Sequence, residues 1–506
     1  MKLNSIALSL CVTFGVSSHA FAAAGSCESL SALKLPDTTI TMAQSVAAGG
    51  FSAPGAGGGG EGFKALPAFC RVAATIKPTS DSDIKVEVWL PASGWNGKFQ
   101  AVGNGGWAGS IAYPAMARAV REGYATSSTD TGHTGPSASF ALGHPEKLID
   151  FAYRSIHEMT AKGKAIVNAF YGGDAKRSYF NGCSTGGRQA LNAAQRYPND
   201  FDGIIAGAAA NPKTRLDVWR VWITQAMFKD QASFIPAEKH AVIHQAVLKA
   251  CDKLDGVEDG LIENPTRCRF DPAVLVCRGA DGPNCLTGAQ LETAKVIMSP
   301  VKNRRTGDVI YPGYELGTEL GWARLLGGPD PYVNALESFK YVIFKDPNWN
   351  WRTFDLERDL AISEKAGHGT LSDVDPNLTA FTQHGGKLLM YHGWSDNSIA
   401  PRASVNFYTS ALHATKPPAN ASTWVRLYMV PGMGHCGGGE GPDTFDMMSA
   451  LDSWVEGGRL PQVIEASKIT AGKVTRTRPL CPYPQQARYK GTGSIDEAAN
   501  FACVAP

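Results

Sequence analysis

The sequence predicts an α/β fold in which a mostly parallel sheet is covered by helices on both faces and interrupted by a second, inserted domain. Three observations predict it. Short strand signals alternate with helical periodicity between residues 84 and 206. The alternation stops near Pro212 and resumes at Lys387. A G-x-S-x-G string, Gly182-Cys183-Ser184-Thr185-Gly186, stands where a strand gives way to a helix.

Taken in order, the chain opens with one basic residue, Lys2, an apolar run over 6–16, and Ala20-Phe21-Ala22. That is the small-x-small pattern of a signal peptidase site, so residues 1–22 are read as an export signal and the mature chain as secreted or periplasmic. The run falls short of the roughly 18 apolar residues of a spanning helix, and no membrane anchor is expected. Residues 84–90 alternate apolar and polar as a half-buried strand does, and 98–102 form a second strand leading into Gly103-Asn104-Gly105-Gly106. Residues 124–128 make a third. Apolar residues at 152, 156, 159, 166, 167 and 170 then recur at helical spacing. A strand over 178–181, a helix over 187–197 stopped by Pro198, and a strand over 201–206 complete the first half.

From 212 to 375 come helical pieces, four cysteines, an acidic loop and a tryptophan-bearing run, which read as an inserted domain. Strands at 387–391 and 425–430 restore the alternation. A helix over 443–455 follows, with Phe445, Met448, Leu451 and Trp454 on one face. Residues 23–211 and 376–506 therefore form one discontinuous domain around an insert at 212–375.

Composition narrows the function. Of 506 residues 43% are hydrophobic, enough for a large core and too many for a disordered chain. With 48 Lys+Arg against 46 Asp+Glu the formal charge is +2, which excludes bulk nucleic acid as a partner. Of the 11 cysteines, Cys11 leaves with the signal and ten remain, an even number in an oxidising compartment. Locality pairs Cys27 with Cys70, Cys251 with Cys268, Cys277 with Cys285, and Cys481 with Cys503. Cys183 and Cys436 are left over.

Those two flank the chemistry. Ser184 sits in the elbow, but a hydroxyl at neutral pH needs a base within reach and a carboxylate to hold that base in the right tautomer. Beyond the strand at 387–391 comes His392-Gly393-Trp394-Ser395-Asp396, which offers Asp396 as the acid. Beyond the strand ending at Val430 comes Pro431-Gly432-Met433-Gly434-His435-Cys436-Gly437, a glycine-flanked loop that offers His435 as the base. A Cys183–Cys436 bridge would pin the serine's loop to the histidine's. For an oxyanion, the N–H of Thr185 and one from the early glycine loop, Gly106 or Gly105, are the expected donors.

The Cys-Ser, Asp, His-Cys pattern, together with Thr129-Asp130-Thr131-Gly132-His133, resembles the tannase and feruloyl esterase family of secreted serine esterases over nearly the whole mature length. The resemblance implies an α/β-hydrolase core, a lid inserted between serine and aspartate, and hydrolysis of aromatic acid esters, including mono(2-hydroxyethyl) terephthalate in some members. It also implies that the acidic loop is a structural calcium site, held by side chains of Asp252, Asp255 and Asp259 and carbonyls of Val257 and Leu261. Hard oxygen ligands suit that ion, although the spacing is not that of an EF-hand. His133 reads as a loop histidine bonded locally, and Trp349 and Trp351 as core of the insert. Peptide hydrolysis by the same triad, a general carboxylesterase and a calcium-stabilised binding module without turnover are the competing readings.

Overall fold

The computed structural model describes residues 25–54, 61–372, 375–418 and 424–506, so the signal expected at 1–22 lies outside the described residues. Its strands are β1 (Thr38–Val46), β2 (Phe69–Ile76), β3 (Ile84–Pro91), β4 (Lys98–Val102), β5 (Ala125–Thr129), β6 (Arg177–Cys183) and β7 (Gly203–Gly207). A small hairpin of β8 (Val301–Lys302) and β9 (Val309–Tyr311) precedes β10 (Lys387–Gly393) and β11 (Val425–Val430). Nine of these form one sheet in the order β1-β2-β3-β5-β4-β6-β7-β10-β11. The run from β5 to β11 is parallel, while β1, β2 and β3 are joined antiparallel at one edge.

Side chains alternate across a strand, and that alternation divides the core. Ile204 packs with Phe180, Leu388 and Met390 under the helices Ser155–Tyr171 and Thr185–Arg196. Its neighbour Ile205 faces the other way, with Tyr179, Leu389 and Tyr428, under the helix Met447–Gly457. Each fully buried side chain of this size contributes about 1.5–3 kcal/mol. Residues on both faces of β6, β7 and β10 are covered, which is why the middle of β7 and of β10 reads as an unbroken apolar run.

Several elements depart from the sequence reading. β3, expected to be half-buried, is buried at all but Lys85, because Glu87 is neutralised in place. Arg71 Nε donates to it at 2.8 Å, Trp89 Nε1 at 2.9 Å and the Tyr113 hydroxyl at 2.9 Å. The helical stretch around residues 152–170 is broken into Pro145–Ile149, a π-turn Asp150–Arg154 and the helix Ser155–Tyr171. The helix expected over 443–455 starts only at Met447, capped by the Asp446 side chain, and Phe445 packs edge-on against Tyr391 instead. β1 and β2 carried too little apolar periodicity to be foreseen.

Between β7 and β10 the chain builds a separate apolar cluster around Trp219, Tyr311, Tyr314, Trp322 and Phe339, reached by the helix Lys213–Met227. Ile399, Ala400 and Ala403 belong to the same cluster, so the insert is seated on the segment that follows Asp396. At the C-terminus, β12 (Ile464–Thr470) pairs with β13 (Lys473–Leu480), and β14 (Gln486–Tyr489) with β15 (Phe501–Val504). Among the described residues no helix is long and apolar enough to cross a membrane.

Candidate active site

The elbow forms because Gly182 and Gly186, two residues to either side of Ser184, have no side chains. Ser184 adopts φ 64° and ψ −121° between the end of β6 and the helix Thr185–Arg196. A Cβ on Gly182 would lie 2.5 Å from the Gly186 carbonyl oxygen, so only glycine lets strand and helix approach this closely. The Ser184 N–H donates to Gly207 O at 3.0 Å, which ties the turn to β7. The hydroxyl is thereby presented above the carboxyl ends of the parallel strands.

Three side chains from three strand ends meet there. Ser184 Oγ lies 2.9 Å from His435 Nε2, and His435 Nδ1 lies 2.8 Å from Asp396 Oδ2. Asp396 is fully buried, and its Oδ1 accepts the N–H groups of Ser398 and Ile399 at 2.7 and 3.0 Å. Burial alone would raise its pKa. The charge of His435 and hydrogen bonds from His392 and His435 outweigh that and hold the carboxyl far below the usual range. The aspartate is therefore ionised and able to accept from the imidazole.

Cys183 and Cys436 are bridged, with Cα atoms 6.1 Å apart, so the residue before Ser184 is joined to the residue after His435. The other bridges are Cys27–Cys70, Cys251–Cys268, Cys277–Cys285 and Cys481–Cys503. The glycine loop is stitched to the elbow as well. Gly186 N–H donates to Asn104 O at 2.8 Å, and the Thr185 hydroxyl donates to Gly106 O at 2.9 Å. Thr185 opens its helix, so its N–H has no intrahelical acceptor.

Ser184, Thr185, His435, Gly105 and Gly106 line a cavity of about 380 Å³. The insert supplies the opposite wall, including Lys213, Arg220, Arg324, Tyr332 and Asn334. Arg220 lies 4.9 Å over the Tyr332 ring and donates to Ser398 O at 2.8 Å, which braces the loop carrying Asp396. Lys213, pushed down to about 8 by burial, donates to Asp217 at 2.6 Å. Sequence reasoning missed these two cations, since helical spacing does not say which turn will face a cavity. It also missed His392, whose Nε2 is 2.9 Å from Asp396 Oδ2. The four-residue spacing of His392 and Asp396 was the available signal.

His133 is buried, stacks on Phe140 at 3.8 Å and has Nε2 2.8 Å from Trp107 O, a local role. Trp351 is buried with Nε1 donating to Asp330, and Trp349 stacks on Phe339 at 4.7 Å in the insert's core.

In the acidic loop, Asp252 accepts N–H bonds from Asp259 and Gly260, Asp255 accepts from Val257, and Asp259 accepts from Leu261. Arg478 of β13 reaches Asp259 Oδ2, and Arg476 donates to its carbonyl at 3.0 Å. Burial, with Asp259 and Asp252 adding repulsion, pushes Asp255 up to about 7. Oxygen donors of this kind, with Asp255 resisting ionisation, are chemistry that a divalent cation relieves, so the donor types suit calcium, while the Asp259 carboxylate is held by Arg478 and the three carboxylates do not converge on one point.

The likenesses to known proteins run the length of this architecture. Residues 70–504 match the family model described as tannase and feruloyl esterase. An uncharacterized esterase of Xanthomonas campestris pv. campestris is 39% identical, over 95% of this chain and 92% of its own. A probable feruloyl esterase B-2 of Aspergillus terreus is 34% identical over 86% of each chain. The crystal structure of feruloyl esterase B from Aspergillus oryzae matches with a TM-score of 0.89 at 31% identity, covering 94% of this chain and 99% of that one. The sheet with its elbow is thus an α/β-hydrolase core, and the match over most of its length establishes that the chain belongs to the tannase and feruloyl esterase family.

Proposed function

We propose that the chain is a carboxylic ester hydrolase for esters of small aromatic acids, with Ser184 as nucleophile, His435 as base and Asp396 as the residue that orients it. The observation that carries this reading is the unbroken relay from Ser184 Oγ through His435 to Asp396, with Ser184 and His435 lining the cavity. His435 Nε2 takes the Ser184 proton as Oγ bonds to the ester carbonyl carbon. The oxyanion is received by the N–H of Thr185 and one from Gly106 or Gly105. Collapse breaks the ester C–O bond, and His435 returns its proton to the departing alcohol. Water, deprotonated by the same nitrogen, then bonds to the acyl carbon, the bond to Ser184 Oγ breaks, His435 returns the proton to Oγ, and the acid leaves.

The names of the relatives favour a hydroxycinnamate as the acid, ahead of gallate and of a terephthalate monoester. Tyr332, beside Arg220, lines the cavity and adds aromatic surface that favours a planar acyl group over an aliphatic chain. The insert 212–375 acts as the lid that shapes this wall. Calcium, held by side chains of Asp252, Asp255 and Asp259 and carbonyls of Val257 and Leu261, would fix the acidic loop against β13. Five disulfides among the described residues and the signal pattern of residues 1–22 support an exported enzyme, secreted or periplasmic. Side-by-side assay of methyl ferulate, methyl gallate, chlorogenate and mono(2-hydroxyethyl) terephthalate, with p-nitrophenyl butyrate as the aliphatic control, tests the reading. At least one aromatic ester should exceed butyrate in kcat/KM. A preference for butyrate over the whole panel would make the protein a general carboxylesterase.

A further inference from the structure

Asp396 serves two histidines. His435 Nδ1 and His392 Nε2 both lie against Oδ2, at 2.8 and 2.9 Å, while Oδ1 takes two backbone N–H groups. An ionised carboxylate only accepts, so both imidazole nitrogens are donors. On its far side His392 Nδ1 stands 2.8 Å from Ser404 Oγ, on the helix Arg402–Ala414. His392, Asp396 and Ser404 are all buried, at 0, 0 and 3% exposure. With Nε2 carrying the hydrogen, Nδ1 of a neutral ring accepts from the Ser404 hydroxyl, which locks the tautomer that donates to Asp396.

Two consequences follow from sharing one oxygen. A carboxylate's terminal torsion is soft, and donors on both oxygens are what hold Oδ2 on His435. Negative charge that His392 draws from Oδ2 is also withdrawn from His435, so the proton on the imidazolium is held less tightly.

We propose that His392 is a positioning residue for the hydrolysis: it fixes Asp396 Oδ2 on His435 and weakens that oxygen's hold on the imidazolium, keeping His435 available as a base further into acid. The inference rests on the catalytic reading of Ser184, His435 and Asp396. Other charges face this cluster. Arg220, with Asp217 beside it, contacts the Ser398 carbonyl, and Arg324 and Lys213 line the cavity with His435. Glu315, paired with Arg402, lies toward His392, and Glu440 is on the His435 loop. All of these remain in place when His392 alone is changed, so a difference between variants reports His392.

The test is kcat and KM against pH for wild type, His392→Leu, His392→Gln and Ser404→Ala, with Ser184→Ala as the control. In His392→Leu the acidic limb of kcat should move to higher pH by roughly half a unit or more. Plateau kcat should fall about tenfold through looser aim, while KM stays nearly constant because His392 is not among the cavity-lining residues. Glutamine places an amide N–H near the position of Nε2, so His392→Gln should bring the limb back toward wild type. Should the leucine variant not fold, Ser404→Ala carries the test with a smaller shift in the same direction. A limb unmoved in folded His392→Leu or Ser404→Ala, with Ser184→Ala inactive, overturns the inference and leaves the triad standing. Activity in Ser184→Ala would overturn both.

Discussion

His244, on the helix Ala237–Cys251 of the insert, is ion-paired with Glu440, five residues beyond His435: Nε2 lies 3.1 Å from Glu440 Oε2. Its Nδ1 lies 2.9 Å from Glu319, which is fully buried. One imidazole therefore joins the insert to the loop that carries His435.

That link titrates. Burial would lower the His244 pKa, but Glu319 and Glu440 outweigh it and raise the group from 6.5 to about 9. A raised histidine contributes stability that is fully present below its unfolded pKa and lost as pH climbs through the folded one. Melting temperature should therefore decline between about pH 6.5 and 9 in wild type, and more weakly in His244→Gln. Glu440 is half exposed, so its share is screened by salt and the buried Glu319 carries more of the effect. Equal slopes in the two proteins, followed by scanning calorimetry, would contradict this.

Ser184→Ala should lower kcat by roughly three orders of magnitude or more, leaving only binding and oxyanion stabilisation. The methyl group fits where the hydroxymethyl was, so the melting temperature should stay close to wild type. Steady-state assays paired with thermal melts decide it.

Replacing both Cys183 and Cys436 with alanine removes the tether between the elbow and the His435 loop. The bridge encloses a long loop, worth up to about 5 kcal/mol by chain entropy, yet sheet and helices persist without it. Activity should suffer more than secondary structure, with kcat reduced and circular dichroism nearly unchanged. Native alkylation without reduction should label neither cysteine in the wild-type protein.

Chelation should lower the melting temperature, and calcium should restore it better than magnesium, which prefers fewer protein ligands and tighter octahedral geometry. Without a cation, Asp252, Asp255 and Asp259 repel one another in a partly buried loop. Asp255→Asn should melt lower than wild type in calcium and lose most of the response to chelator. A chelator-insensitive wild type, with no calcium by elemental analysis, would return the loop to an ordinary acidic turn.

Much of the frame was legible because it is local. β4 and β11 occupy the residues their apolar runs indicate, and the Gly182 to Gly186 string declares its own turn. Ser184, Asp396 and His435 could be named because each follows a strand in the chain order that this sheet requires. What escaped depends on contacts that spacing does not encode. His392 is an ordinary strand-end histidine until Ser404, on a separate helix, arrives at its Nδ1. Glu87 looks solvent-facing until Arg71 of the unforeseen β2 reaches it. Lys213 and Arg220 sit on one helix with Trp219, and only the packed insert decides which of them faces the cavity.

The placement of the insert between β7 and β10 has a consequence for the growing chain. Gly203–Gly207 hydrogen-bonds to Lys387–Tyr391, so the inner edge of β7 has no partner until that later strand emerges. A non-local pairing of this kind is slow and leaves a strand edge open to other chains. If Ser184, Asp396 and His435 act as proposed, the same order leaves the growing chain without a complete relay for most of its synthesis. Ser184 lies between β6 and β7, whereas Asp396 and His435 follow β10 and β11 and are made only with the second half of the sheet.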